Sequence, residues 1–384
     1  MTAALIGNYA RAPIAIVRGE GCWLWDDAGH AYLDFTSGVG VVSVGHAHPQ
    51  LARAICEQAQ TLLHASNLFQ IPQQELLAER LRQIAGFGKA FFCNSGAEAN
   101  EAAIKLARRW AYARGDQRRT ILALKGSFHG RTLATVAATM QAKVQTGFDP
   151  LPAGFRAIEA PTEAALEAAW GEDVLGVIVE PIQGEGGVRP FDPAFLQALR
   201  KRCDEAGALL IFDEVQTGIG RTGAWFAFQD VGVKPDILTL AKGLGGGVPI
   251  GAMLARDDVA EAFTPGTHGS TFGGNPLAAQ AALAVLEIIE REELLSHVRR
   301  LGEALGAKLR ALFPEAVEVR GRGLMWGVEM KKPVEPLIEA ARNEGLLVLQ
   351  AGERVLRLLP PLVLSDEELS EGIARLARAK ERMA

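Results

Sequence analysis

Ala208-Leu-Leu-Ile-Phe212 and Ile237-Leu-Thr-Leu-Ala241 are short runs with almost no polar alternation, and each delivers a chemically distinctive residue at its end, Asp213 after the first and Lys242 after the second. A strand with one face in water alternates apolar and polar residues, whereas a strand buried on both faces does not. Working outward, Lys89-Ala-Phe-Phe-Cys93, Thr120-Ile-Leu-Ala-Leu124 and Val174-Leu-Gly-Val-Ile-Val179 have the same character. Helical stretches separate them, over residues 97–114 and 192–206. This alternation predicts an α/β fold whose central sheet is mostly parallel, with helices on both faces. Such sheets bind ligands outside the carboxyl ends of their strands. Asp213, Lys242 and the loop after Cys93 all fall there.

The pattern changes after Asn275. Helices are predicted over residues 276–290 and 294–312, followed by a glycine-interrupted strand pair over 317–329. Leu346-Leu-Val-Leu349 and Val355-Leu-Arg-Leu-Leu359 read as one strand each, and residues 366–382 as a closing helix. This is a smaller α+β lobe, which strand-like pieces near the N-terminus such as Gly21-Cys-Trp-Leu-Trp25 are expected to join. The division expected is residues 1–44 for the N-terminal part of the small lobe, 45–274 for a large ligand-binding domain and 275–384 for the rest of the small lobe.

With 384 residues the chain can bury a large core, and with a net charge of −5 and no basic block nothing suggests a polyanion partner. The expectation is therefore no nucleic acid and no membrane. The first ten residues lack the basic and long apolar regions of a signal peptide, and no apolar run approaches a bilayer span. Cys22, Cys56, Cys93 and Cys203 are scattered and form no CxxC pair, so a reduced, cytoplasmic compartment is expected.

Several segments carry possible chemistry. A lysine at a strand end can form a Schiff base with a carbonyl, and an aspartate at a neighbouring strand end can pair with a protonated pyridine nitrogen. Pyridoxal phosphate chemistry requires both groups. Asn94-Ser-Gly-Ala-Glu-Ala-Asn-Glu101 lies between a strand and a helix. It reads equally as a phosphate cup of free N–H groups and as a capping box from Ser95 to Glu98, and the two share one backbone. In Ser127-Phe-His-Gly-Arg-Thr132, Phe128 could stack on a planar ring and Arg131 hold a carboxylate; standing alone they read as a core aromatic and a surface charge. Glu185, in the loop Glu180-Pro-Ile-Gln-Gly-Glu-Gly-Gly187, reads as a site acid or as an exposed loop acid. Alternation sets Arg357 opposite its leucine neighbours, where it faces water or finds an acid. Gly218-Ile-Gly-Arg-Thr-Gly223 matches GxGxxG but lacks the strand–turn–helix setting of a dinucleotide site, so a surface turn is expected. His46 and His48 have no evident third ligand and read as a loop, so no metal is expected.

Together these motifs resemble the class III, or ω-amino, aminotransferases that use pyridoxal 5'-phosphate. The resemblance runs from Tyr9-Ala-Arg-Ala-Pro13 to Arg357-Leu-Leu-Pro-Pro361, essentially the whole chain. Within the family, Ser127-Phe-His-Gly-Arg-Thr132, Asp213-Glu-Val-Gln-Thr-Gly218 and Gly269-Ser-Thr-Phe-Gly-Gly-Asn-Pro276 look most like the acetylornithine branch. The resemblance implies the fold type I, aspartate aminotransferase-like architecture. It implies transfer of the δ-amino group of N-acetylornithine to 2-oxoglutarate, as a step of arginine biosynthesis. It also implies residue roles. Ser95, Gly96 and Ala97 would hold the cofactor phosphate, and Phe128 and Val215 would flank the ring. Asp213 would hold the pyridinium N–H, with Gln216 near the phenolic oxygen and Lys242 as the Schiff-base lysine and proton shuttle. Thr271 would reach the phosphate of a neighbouring subunit, making the enzyme a homodimer. Tyr9, Arg131 and Ser270 would contact the donor, and Arg357 would bind the α-carboxylate of 2-oxoglutarate in exchange for Glu185. Ala97 stands where the family usually has threonine, and Val42 where related enzymes often have asparagine. Rival readings on the same scaffold are succinylornithine, ornithine, 4-aminobutyrate or carrier-bound lysine as donor, or an aminomutase. A non-enzymatic cofactor-binding regulator is the rival from another class.

Overall fold

A computed structural model describes residues 4–383. Its central sheet has seven strands in the order Lys89–Cys93, Gly251–Ala255, Ile237–Leu240, Leu209–Asp213, Val174–Val179, Thr120–Leu124 and Phe155–Ile158. All neighbours are parallel except Gly251–Ala255, which runs antiparallel to both of its partners. The five inner strands are buried along their whole length, which is why the sequence lacks alternation there. Gly251–Ala255 and Phe155–Ile158 complete the sheet beyond the strands expected from the sequence.

Capping residues start the flanking helices where the strands end. Ser95 caps Gly96–Ala113 by accepting from the Glu98 N–H, and Asp192 caps Pro193–Ala206 by accepting from the Ala194 N–H. Asn275 caps Pro276–Arg291, which is almost wholly buried and packs against the helices Pro49–Thr61 and Pro72–Ala85.

Two four-stranded sheets lie apart from the central one. Ile16–Glu20, Trp23–Asp26 and Ala31–Asp34 form an antiparallel run that is extended by Leu346–Leu347, parallel to Ala31–Asp34. The other sheet takes the order Glu318–Arg322, Met325–Glu329, Val355–Leu358 and Leu349–Gln350. The run Leu346 to Leu349 is therefore two strands rather than the one expected: the chain leaves the first sheet at Val348 and enters the second. Hydropathy cannot report this change, because the run packs against apolar neighbours on both sides of Val348.

Gly218 to Gly223 is not a surface turn. All six residues are buried, in a seam between the sheet and the C-terminal elements. A Cβ on Gly220 would sit 3.0 Å from Leu362, and one on Gly223 would sit 2.5 Å from Arg299. Between them Arg221, 2 % exposed, donates to the carbonyls of Leu324 and Pro360. Burial pulls its guanidinium down to about 10. The glycines serve close packing rather than phosphate approach. Among the described residues no helix is long and apolar enough to cross a membrane.

Candidate active site

A cavity of about 410 Å³ opens at the carboxyl ends of the central strands. It gathers ten of the residues singled out in the sequence: Ser95, Gly96, Ala97, Phe128, Arg131, Glu185, Asp213, Val215, Gln216 and Lys242. Four residues lie outside it. Arg357 stands behind Glu185, while Tyr9, Ser270 and Thr271 are not among the lining residues of this chain. Tyr9 is 69 % exposed, and Ser270 accepts from the Gly273 N–H in a separate surface groove that also holds Thr271.

Lys242 follows the strand Ile237–Leu240 and begins a single 3₁₀ turn, Lys242–Gly245. Its φ is +42°, a left-handed conformation uncommon for a residue with a Cβ. The Ser43 hydroxyl donates to the Gly243 carbonyl at 3.0 Å and fixes the backbone just beyond. Desolvation in the cavity floor lowers the Lys242 ammonium below the ordinary lysine range, against the opposing pull of Glu185, Asp213 and Glu180.

Asp213 ends the neighbouring strand and is 4 % exposed. Its Oδ1 accepts from the Val215 N–H at 3.0 Å. Its Oδ2 accepts from Asn100 Nδ2 at 2.7 Å and His129 Nδ1 at 2.8 Å. A carboxylate has about four acceptor positions, so Asp213 retains capacity for a further N–H. On the facing wall, the N–H groups of Gly96 and Ala97 open a helix whose fold gives them no intrahelical acceptor. A Cβ on Gly96 would lie 2.7 Å from Val215 Cγ1, so the cup and the Val215 wall are in contact and only glycine fits between them.

Arg357 is 2 % exposed and donates to Glu185 Oε1 at 2.5 Å and to Gln216 Oε1 at 3.4 Å. Its Nε is buried without a partner among the described residues. Burial raises the Glu185 carboxyl, but Arg357 outweighs burial and holds it below the usual range. Arg131 is exposed at the rim, its guanidinium 5.6 Å from the Phe128 ring centre. Glu180 accepts from the N–H groups of Phe128 and Gly184 at 3.1 Å each and so ties two walls together; burial pushes its carboxyl up.

Sequence reasoning missed Asn100, His129 and Glu180. The only signal for Asn100 was its place one helical turn after Gly96, on the face turned inward. His46 and His48 pair separately, with Asp34 at 2.8 Å and Glu292 at 3.2 Å.

The donor set fits pyridoxal phosphate. It offers a desolvated amine for the aldehyde, a carboxylate with a vacant acceptor position for the ring N–H, free helix N–H groups for the phosphate, and apolar walls from Phe128 and Val215 for the ring.

The family model for aminotransferase class-III matches residues 6–379. The chain is 50% identical to acetylornithine aminotransferase 1 of Bordetella pertussis over 376 residues, covering 97% of this chain and 96% of that one. Among solved structures, ornithine aminotransferase from Toxoplasma gondii superposes with a TM-score of 0.95 at 36% identity, covering 99% of this chain and 93% of that one. N-acetylornithine aminotransferase from Stenotrophomonas maltophilia superposes with a TM-score of 0.85 at 41% identity, covering 98% and 97%.

Proposed function

The chain belongs to the class III aminotransferases, which use pyridoxal phosphate to move an amino group from an amine donor to a keto acid, and from that premise we propose that it transfers the δ-amino group of N-acetylornithine to 2-oxoglutarate. The products are N-acetylglutamate 5-semialdehyde and glutamate, a step of arginine biosynthesis. The observation that carries this reading is the pair of buried Arg357 with half-buried Glu185, which lines the same cavity as Lys242. A cation masked by an internal acid lets one cavity accept an ω-amine, whose carboxylate is remote, and then an α-keto acid, whose carboxylate replaces Glu185. The acetylated donor is supported by the names of the relatives in Bordetella pertussis and Stenotrophomonas maltophilia.

Bound pyridoxal phosphate supplies the electron sink for the pair left when the carbon bearing the amine loses its proton. The rest is done by the chain. Lys242, whose ammonium desolvation disfavours, takes the proton from the donor's δ-carbon and later returns one. Asp213 keeps a proton on the ring nitrogen. Gly96 and Ala97 would hold the phosphate with Ser95, Phe128 and Val215 would flank the ring, and Gln216 would contact its phenolic oxygen. Arg131 at the rim binds the donor's α-carboxylate, with Tyr9 and Ser270 as further contacts.

The same reading makes the enzyme a cytoplasmic homodimer in which Thr271 reaches the partner's phosphate. Exposed Thr271 and Phe272, outside this chain's own cavity, support that arrangement. Residues 1–44 and 275–384 would then form a small lobe against the domain 45–274. Steady-state kcat/KM over acetylornithine, succinylornithine, ornithine and 4-aminobutyrate, at fixed 2-oxoglutarate, tests the assignment. Acetylornithine should lead, and an equal or better rate with 4-aminobutyrate would sink it.

A further inference from the structure

We propose that Asn100 is a positioning residue that orients the Asp213 carboxylate, leaving Oδ1 as the oxygen free to receive the cofactor's ring N–H. The inference rests on the assignment of Asp213 above. Asn100 lies one turn into the helix Gly96–Ala113, on the same face as Gly96, whose N–H helps to open it. One rigid element thus addresses both the phosphate cup and the carboxylate.

The amide is fully used. Nδ2 has two hydrogens, given to the His129 carbonyl at 2.8 Å and to Asp213 Oδ2 at 2.7 Å. Oδ1 accepts from the Thr239 hydroxyl at 2.7 Å. Thr239 is the register partner of Asp213 on the adjacent parallel strand, so both side chains meet the helix on one face of the sheet. The His129 carbonyl and the Asp213 carboxylate set the amide's sense, because both only accept; reversed, the amide would turn its oxygen toward them, and in the observed sense its Oδ1 takes the Thr239 hydroxyl hydrogen. Asn100 is 1 % exposed and Thr239 fully buried, so water cannot substitute.

Oδ2 is then occupied by Asn100 and by His129 Nδ1, while Oδ1 has one internal donor, the Val215 N–H. The remaining position is on Oδ1.

The test uses the affinity of the full-length protein for two probes, pyridoxal phosphate and the analogue in which C–H replaces the ring nitrogen. Both carry the aldehyde and the phosphate, so only the contact to Asp213 separates them. Wild type should prefer pyridoxal phosphate. Asn100→Ala should reduce that preference about tenfold, the loss expected when a charge-assisted hydrogen bond to the acceptor group is removed. Thr239→Val, which frees the amide without opening a cavity, should reduce it about threefold, and it carries the measurement alone if Asn100→Ala does not fold. Equal weakening of both probes in these variants, or an unchanged preference, overturns the inference. Asp213→Asn is the control. If it keeps the wild-type preference, the assignment of Asp213 itself fails. If it loses the preference while Thr239→Val and Asn100→Ala keep it, only the role of Asn100 falls.

Discussion

Replacing Glu185 by alanine should improve the fit of the keto acid and impair that of the amine donor. Arg357 is nearly inaccessible, and Glu185 Oε1 is its acidic partner. For 2-oxoglutarate to bind through its α-carboxylate, that pair must break. A hydrogen bond to a charged group contributes about 1.5–3 kcal/mol. The Glu185 side chain is 30% exposed, so water screens part of this, leaving about 1–2 kcal/mol after discount. At 1.4 kcal/mol per factor of ten, KM for 2-oxoglutarate should fall about 5- to 30-fold. With acetylornithine bound, Arg357 loses its acid and has only Gln216 at 3.4 Å. The donor half-reaction should slow accordingly. Rapid-mixing measurement of each half-reaction separately reads both effects. An unchanged or higher KM for 2-oxoglutarate in Glu185→Ala would refute the view that Glu185 masks Arg357.

Three further outcomes are expected. Lys242→Ala should cut kcat by about four orders of magnitude, because covalent attachment and proton transfer are lost together; steady-state turnover checks it. Gly251→Ala should destabilise the fold by about 1–3 kcal/mol and weaken pyridoxal phosphate binding, since its Cβ would lie 2.3 Å from the Ser95 carbonyl under the phosphate cup; denaturant titration and cofactor titration read the two effects. Glu214 is fully buried, and burial pushes its carboxyl from 4.5 up to about 7. Its folded form therefore binds a proton more tightly than its unfolded form, and its contribution is intact below about pH 4.5 and lost as pH rises through about 7. Over that window Glu214→Gln should remove a decline of roughly 3 kcal/mol, seen as a flatter pH profile of unfolding free energy.

The parts of the fold legible in the sequence were those whose environment left a period or its absence. The strands carrying Asp213 and Lys242 are buried on both faces and read as unbroken apolar runs. Ser95 marked a helix start through its capping side chain, and the structure adds Asp192 and Asn275 as caps of two further helices. Gly218 to Gly223 was misplaced because glycines look the same in a solvent turn and in a seam where backbones touch. Leu346 to Leu349 hid a change of sheet, since both surroundings are apolar. In the site, residues with distinctive chemistry could be picked out locally, but Arg357 and Glu185 meet only through folding, across a long sequence separation. Asn100, His129 and Glu180 escaped notice for the same reason. Their chemistry is ordinary, and what marks them is the carboxylate or loop that the fold brings against them.

On this reading one cavity deaminates an acetylated ω-amine and then aminates 2-oxoglutarate. A single-turnover experiment separates the two halves. Purified protein loaded with pyridoxal phosphate is mixed with N-acetylornithine and no keto acid, and the visible absorbance is followed together with product. The colour should bleach with about one N-acetylglutamate semialdehyde released per site, and return with release of glutamate on adding 2-oxoglutarate. Absence of bleaching, or bleaching by 4-aminobutyrate at least as fast, would contradict it.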